Sequence, residues 1–217
     1  MRRRCQSSVQ VAGMTLLETT IGIMLVSFLS VGAYGVWSST ADFSKVIVES
    51  TSSRDQANRA LNRIVGLVAN AALTTVTPRQ APPQSSSSVT FQTADGFAFN
   101  SVVLGPKTTI RWESEPGDPA DGLDNDGDGF VDEGRIVIVI DVDGVARSVD
   151  LCNRVARFQS GEIPDGKDNN GNGLRDEPGL AFTLHDGLLR IYLTLLGKDS
   201  QDEVVTYSVA TALAFRN

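Results

Sequence analysis

Cysteine and histidine are almost missing from this chain. Two cysteines, Cys5 and Cys152, and one histidine, His185, occur in 217 residues. That is too few for a disulfide scaffold, a four-cysteine zinc site or a centre built from several histidines. Basic residues are outnumbered, 19 Lys and Arg against 26 Asp and Glu, for a net charge of −7. An acidic total argues against nucleic acid as a partner, because phosphate backbones need a basic face. Catalytic signatures are missing too. No phosphate-binding loop is present, and His185 has no Ser or Cys partner motif, so it reads as a strand residue and the chain as a non-enzyme. Trp112 and Phe158 read as core. Proline is absent between Met14 and Thr77. Apolar residues reach 41%, enough for a packed core and too many for a disordered chain.

The acidity is local. Residues 114–134 carry eight acids and no base, and residues 162–179 carry five acids against Lys167 and Arg175. These stretches contribute −8 and −3, whereas the chain without its first thirteen residues is −10. The remainder is therefore close to neutral. The charge marks two sites and is not a general solubility feature.

Arg2, Arg3 and Arg4 precede a greasy segment, Met14 to Trp37. From Thr19 to Ala41 there are 23 residues without a formal charge. A 24-residue helix spans about 36 Å, enough to cross a bilayer core of ~30 Å. The arginines place the N-terminus in the cytoplasm and the rest outside. A cleaved secretory signal peptide is one alternative, and Val31-Gly32-Ala33 resembles its cleavage site; a plain membrane anchor is another. The run exceeds the ~7–15 residues of a signal core, and an acid, Glu18, sits within it. A carboxylate in the bilayer costs ~3 kcal/mol or more and calls for a partner.

Gly13-Met14-Thr15-Leu16-Leu17-Glu18 resembles the processing site of type IV prepilins and type II secretion pseudopilins. The resemblance implies a leader ending at Gly13, cut by a prepilin peptidase, and a mature chain starting at a methylated Met14, where Phe is commoner in the family. It implies that Glu18, fifth in the mature chain, neutralises the α-amino group of a neighbouring subunit's Met14 in an apolar setting. Removal of the leader with Cys5 would leave Cys152 as a lone, buried thiol. The terminal Arg216-Asn217 is also similar to the ends of minor pilins and J-type pseudopilins.

Beyond the greasy run, Val46, Ile47, Ala57, Ala60, Leu61, Ile64, Val65, Val68, Ala71 and Ala72 recur at steps of threes and fours, which is helical spacing on one face. Together with the unbroken stretch before it, this predicts one helix from Met14 to about residue 75. Residues 14–37 form its transmembrane half and 38–75 its amphipathic half. A core helix of a soluble domain is the competing reading of the second half. A Pro/Ser loop follows at 77–88. Short β-like runs then occur at 88–93, 97–104, 107–113, 135–142, 145–151, 154–159, 180–185, 188–196 and 203–215. Asp143-Gly144 and Asp186-Gly187 have the chemistry of two-residue hairpin turns. The expected class is α+β: a pilin-like fold, its long N-terminal helix packed on an antiparallel β-rich head, residues 76–217.

The acidic stretches contain one motif twice. Asp121-Gly-Leu-Asp-Asn-Asp-Gly-Asp-Gly-Phe-Val-Asp-Glu133 recurs 44 residues later as Asp165-Gly-Lys-Asp-Asn-Asn-Gly-Asn-Gly-Leu-Arg-Asp-Glu177, with eight of thirteen positions identical. Asp124, Asp126, Asp128 and Gly129 match positions 1, 3, 5 and 6 of a calcium loop. Alternate carboxylates on a tight loop turn oxygens to one centre, and calcium takes 6–8 oxygens, which a Phe130 carbonyl would help to supply. Position 12 of an EF-hand would be Arg135, while Asp132 and Glu133 come early. The loops therefore look more like those of thrombospondin type 3 repeats and dockerins. Asp121, Asp124, Asp126, Asp128, Phe130, Asp132 and Glu133 are the expected Ca2+ ligands of the first loop. Asp165, Asp168, Asn170, Asn172, Asp176 and Glu177 are those of the second, which holds the ion less tightly with fewer carboxylates. The alternative is an ordinary Asx-rich turn.

These features together predict a minor pilin or pseudopilin: a single-pass inner-membrane protein with a cytoplasmic N-terminus and a periplasmic head, contacting lipid and then other pilin subunits through its helix. The alternative is a membrane-anchored, calcium-binding adhesion or recognition protein that does not assemble.

Overall fold

The structure, a computed structural model, describes residues 15–98, 101–199 and 201–215. Gly13, Met14 and the terminal Arg216-Asn217 lie outside them. The chain divides into two units, the first ending at Lys45 and the second beginning at Val46. One helix, α1 (Leu16–Val68), runs through both. In the first unit, Leu16–Ser38 forms a stretch of 23 residues that is long and apolar enough to cross a membrane, with none of its most apolar window buried. Ser27 and Ser30 return their hydroxyls to the carbonyls of Ile23 and Val26, four residues back, at 2.8 and 2.7 Å. Such back-bonding satisfies a hydroxyl inside an apolar helix.

The second unit is α+β. Its seven strands, β1 (Ser88–Ala98), β2 (Ser101–Ser114), β3 (Gly134–Val142), β4 (Val145–Val155), β5 (Leu180–His185), β6 (Leu188–Lys198) and β7 (Val204–Ala214), are all antiparallel. Their order is β1-β2-β3-β4-β6-β5, with β7 on β6. The strand pairing between β4 and β6 is a single register pair, Val155 with Leu195. The segment before β1 ties both ends of this order together. Thr77 bridges Thr90 of β1, and Ser86 bridges Phe182 of β5. The end of α1 supplies Ala57, Ala60, Leu61, Ile64 and Val68 to the core, spaced on one helical face. They join Phe91, Ile110, Ile136, Leu180, Ile191 and Leu193, all 1% exposed or less.

Local chemistry sets the turns. Asp143 and Gly144 have φ of 54° and 81°, and Asp186 and Gly187 have 50° and 73°. Two successive left-handed residues match strand twist, so both hairpins close in two residues. The helix stops at Val68, short of the expected residue 75. There the chain turns to pair with β1: Ala94 N–H donates to the Asn70 carbonyl and Ala72 N–H to the Gln92 carbonyl. The expected run at 97–104 is divided: Phe97 and Ala98 end β1 and pair with Val102 and Ser101 of β2, while 101–104 join the expected run 107–113 in one strand, because Gly105 and Pro106 sit inside β2. The gap between the expected runs 88–93 and 97–104 is bridged by β1, which passes through it with register shifts between Gln92 and Gly96. Residues 156–159, expected as part of a strand, belong to the loop after β4.

Both long insertions leave from one end of the sheet. The first joins β2 to β3 and the second joins β4 to β5. Ser114 pairs with Gly134, and Gly134 in turn with Val155. A small apolar cluster of Phe130, Ala156 and Leu196 lies at this end. Close packing here is tested at Gly179, where an added methyl would overlap the Ala156 carbonyl. Gly179→Ala should cost about 1–3 kcal/mol as overpacking. Thermal denaturation of the full chain in detergent should show a midpoint lower by roughly 3–10 °C.

Candidate cation-binding loops

The two insertions fold alike. Their likeness begins upstream of the thirteen-residue motif, at Glu115 and Gln159. Asp118 N–H donates to the Glu115 carbonyl, as Glu162 N–H does to that of Gln159. Glu115 N–H meets the Glu133 carbonyl at 3.2 Å and Gln159 N–H that of Glu177 at 3.0 Å, which closes each loop. Asp124 accepts from Gly127 N–H at 2.7 Å and from Gly129 N–H at 3.0 Å. Asp168 repeats this with Gly171 and Gly173 at 2.6 and 2.8 Å. Gly127 and Gly171 have φ of 79° and 75°, and Gly129 and Gly173 both have 88°. These left-handed positions, where a side chain strains the backbone, account for the glycines of the motif.

In the first loop, Asp124, Asp126 and Asp128 each bring a carboxylate oxygen within 4.8 Å of the others. Asp126 and Asp128 each use one oxygen for a backbone N–H two residues on, at 3.0 and 2.9 Å. The second oxygen remains for a ligand. Glu133 adds the decisive feature. It is 0% exposed, and no hydrogen-bond donor reaches either of its oxygens. Burial, then the charges of Asp128 and Asp118, push its carboxyl up to about 7. Asp118 is equally buried; Asn125 N–H serves one oxygen at 3.0 Å and holds its carboxyl below the ordinary value, while the other oxygen has no donor. Burial and the charges of Asp126 and Asp128 raise Glu115, which also has a donor-less oxygen. Buried charges need partners. Among the described residues, a single ion pair reaches this loop, Arg157 to Asp132 at 2.7 Å.

The expected ligands thus separate into two groups. Asp124, Asp126 and Asp128 face a common region, and the charge of Asp128 also acts on the buried Glu133. Asp121 and Asp132 brace the loop: Asp121 accepts from Leu123 N–H and the Asn125 amide, and Asp132 from Gly122 N–H and Arg157. Phe130 is buried by its ring, with Lys198 Nζ and Arg154 at 5.3 and 5.4 Å from the ring centre. Lys198 also donates to the Asp128 carbonyl at 2.9 Å, tying β6 to the loop. In the second loop Asp165 and Asp176 brace in the same way, and Lys167 holds the Asp165 carboxyl below its ordinary value.

Glu115, Asp118 and Glu162 were not among the expected ligands. The signal for them is the repeat itself, which extends upstream through Gly117 and Gly161 with an acid after each glycine. Elsewhere, His185 is exposed beside Asp186, and burial pushes the Cys152 thiol up to about 12, far from a reactive thiolate.

Comparison of the chain with protein-family models, curated proteins and solved structures finds no match in any of the three.

The first loop fits a hard cation by donor type: clustered carboxylates, the buried Glu133 with no donor to either oxygen, and the buried Asp118 with one oxygen unserved. At free calcium 100-fold above Kd, one such ion adds about 2.7 kcal/mol to stability. Adding calcium to chelator-treated full chain in detergent should raise its melting temperature by roughly 5–10 °C, more than magnesium does. Glu133→Gln should abolish most of this response and raise the midpoint in chelator at pH 8, since an amide can donate where the carboxylate cannot.

Proposed function

We propose that the chain is a minor pilin or pseudopilin, a structural subunit processed after Gly13 and binding calcium in its head. One observation carries the reading: in sequence the run Gly13-Met14-Thr15-Leu16-Leu17-Glu18 leads into α1, whose Leu16–Ser38 segment is long and apolar enough to span a bilayer. In such a subunit the apolar segment first holds the chain in the inner membrane and later packs among equivalent helices. Glu18 then serves assembly by meeting a neighbour's terminal ammonium in an apolar setting. Prepilin peptidase and sister subunits are the partners this implies, with a head outside the cytoplasm. The donor-poor acids around Asp126 and Asp128 favour a second reading, a membrane-anchored calcium-binding recognition protein that does not assemble.

Intact-mass and N-terminal analysis of the membrane fraction should find a chain that begins at N-methylated Met14. A chain beginning at Tyr34 would mean signal-peptide cleavage and would end the pilin reading.

Glu18→Ala separates assembly from anchoring. The variant should insert at least as well as the parent, because it removes a carboxylate from the bilayer. Its incorporation into sheared filaments should drop at least about tenfold, the loss expected when one partner of a buried ion pair is removed. Undiminished incorporation would leave Glu18 without this role and favour the anchored reading.

A further inference from the structure

We infer that the two loops, alike in backbone, differ in what fills their centres: a cation in the first, and the protein's own amide groups in the second. The contrast rests on reading the first loop as a cation site.

The observation lies at the two positions where the repeats exchange Asp for Asn. Asp126 and Asp128 correspond to Asn170 and Asn172. Asn170 Oδ1 accepts from Asn172 N–H at 3.0 Å, and Asn172 Oδ1 accepts from Leu174 N–H at 2.8 Å. The aspartates make the same bonds at 3.0 and 2.9 Å. With each Oδ1 occupied by the backbone, the other end of each amide is an NH2 group. Both are directed at Glu177. Asn170 Nδ2 donates to Glu177 Oε1 at 2.9 Å, and Asn172 Nδ2 donates to the same oxygen.

Glu177 is 0% exposed, like Glu133, its counterpart. Yet Glu133 receives no donor, because aspartates at 126 and 128 have no hydrogen to give. Glu162, the counterpart of Asp118, accepts two backbone N–H groups on Oε1, both at 2.9 Å. Glu162 Oε2 and Glu177 Oε2 stay without donors, but each carboxylate has one oxygen doubly served. The charge agrees: residues 162–179 carry five acids with two bases, against eight acids and no base in 114–134.

A cation entering the second loop would have to break the amide bonds to Glu177. Coordinating through the asparagine oxygens would further require turning both amides, leaving Asn172 and Leu174 N–H without acceptors. An ion in the first loop meets one unbonded oxygen on each of Asp126 and Asp128 and two on Glu133. The second loop therefore keeps its shape without metal, and the first is held by it.

Amide hydrogen exchange on the full chain in detergent micelles tests this, in millimolar calcium chloride or in chelator. Residues 121–133 should gain protection with calcium, while residues 165–177 should be equally protected in both. Asn170→Asp with Asn172→Asp should reduce second-loop protection in chelator by at least about tenfold, as expected for losing two hydrogen bonds to a charged acceptor. Calcium should then restore it. Calcium-dependent protection of the second loop in the unaltered chain would overturn the inference and leave the first-loop reading standing. A first loop indifferent to calcium would instead overturn that reading. If the double variant stays protected in chelator, the amides are not what closes the loop.

Discussion

The head is organised around a carboxylate that cannot be left alone. Glu133 lies at the junction of the first loop and β3, wholly buried, with no donor to either oxygen. Its backbone carbonyl closes the loop by accepting from Glu115 N–H, which fixes the main chain from which the buried carboxylate projects. A charge fixed in such a place requires a positive partner or a proton. The neighbours add to the demand, since Asp118 and Asp128 raise its carboxyl further. The geometry of the first loop follows from this constraint. Three aspartates, Asp124, Asp126 and Asp128, converge in the same loop, and Asp126 and Asp128 each keep one oxygen without a hydrogen bond.

The same backbone with different side chains meets the same constraint in another way. In the second loop the buried Glu177 is served by two side-chain amides. One atom exchanged at each of two positions, oxygen for NH2, converts repulsion into hydrogen bonding. Backbone geometry is indifferent to the exchange, because Asp and Asn accept the turn-forming N–H groups equally through Oδ1. The two loops can therefore share a backbone and differ in how their buried glutamates are served. Their common origin at one end of the sheet, beside the Phe130–Ala156–Leu196 cluster and Lys198, lets the stability of each loop act on the strands next to it.

Much of this was legible in the sequence. The apolar run without charge defines the membrane-competent part of α1, since length and transfer energy alone decide that property. Ala57, Ala60, Leu61, Ile64 and Val68 were readable as a buried stripe from their spacing, and Asp143-Gly144 and Asp186-Gly187 as hairpins from turn chemistry. The clustering of Asp124, Asp126 and Asp128 was readable because alternation and glycine placement are local. The end of α1 was not, because hydrogen bonds from β1 to Asn70 and Ala72 override helical spacing that continues to Ala72. Gly105 and Pro106 likewise look like punctuation, yet lie within a strand held by partners far away in sequence.

The sequence by itself determined the elements whose causes are local: the greasy helix, its amphipathic continuation, the hairpin turns, and the repeated loop with its alternating acids. Tertiary structure decided which acids matter and how. Asp121 and Asp132 are spent on bracing, while Asp118 and Glu133 lose contact with water, and only three-dimensional packing can strip a carboxylate of its solvent. It also decided which end of Asn170 and of Asn172 faces Glu177. That orientation depends on a backbone N–H two residues on and a carboxylate across the loop, brought to one point by the fold.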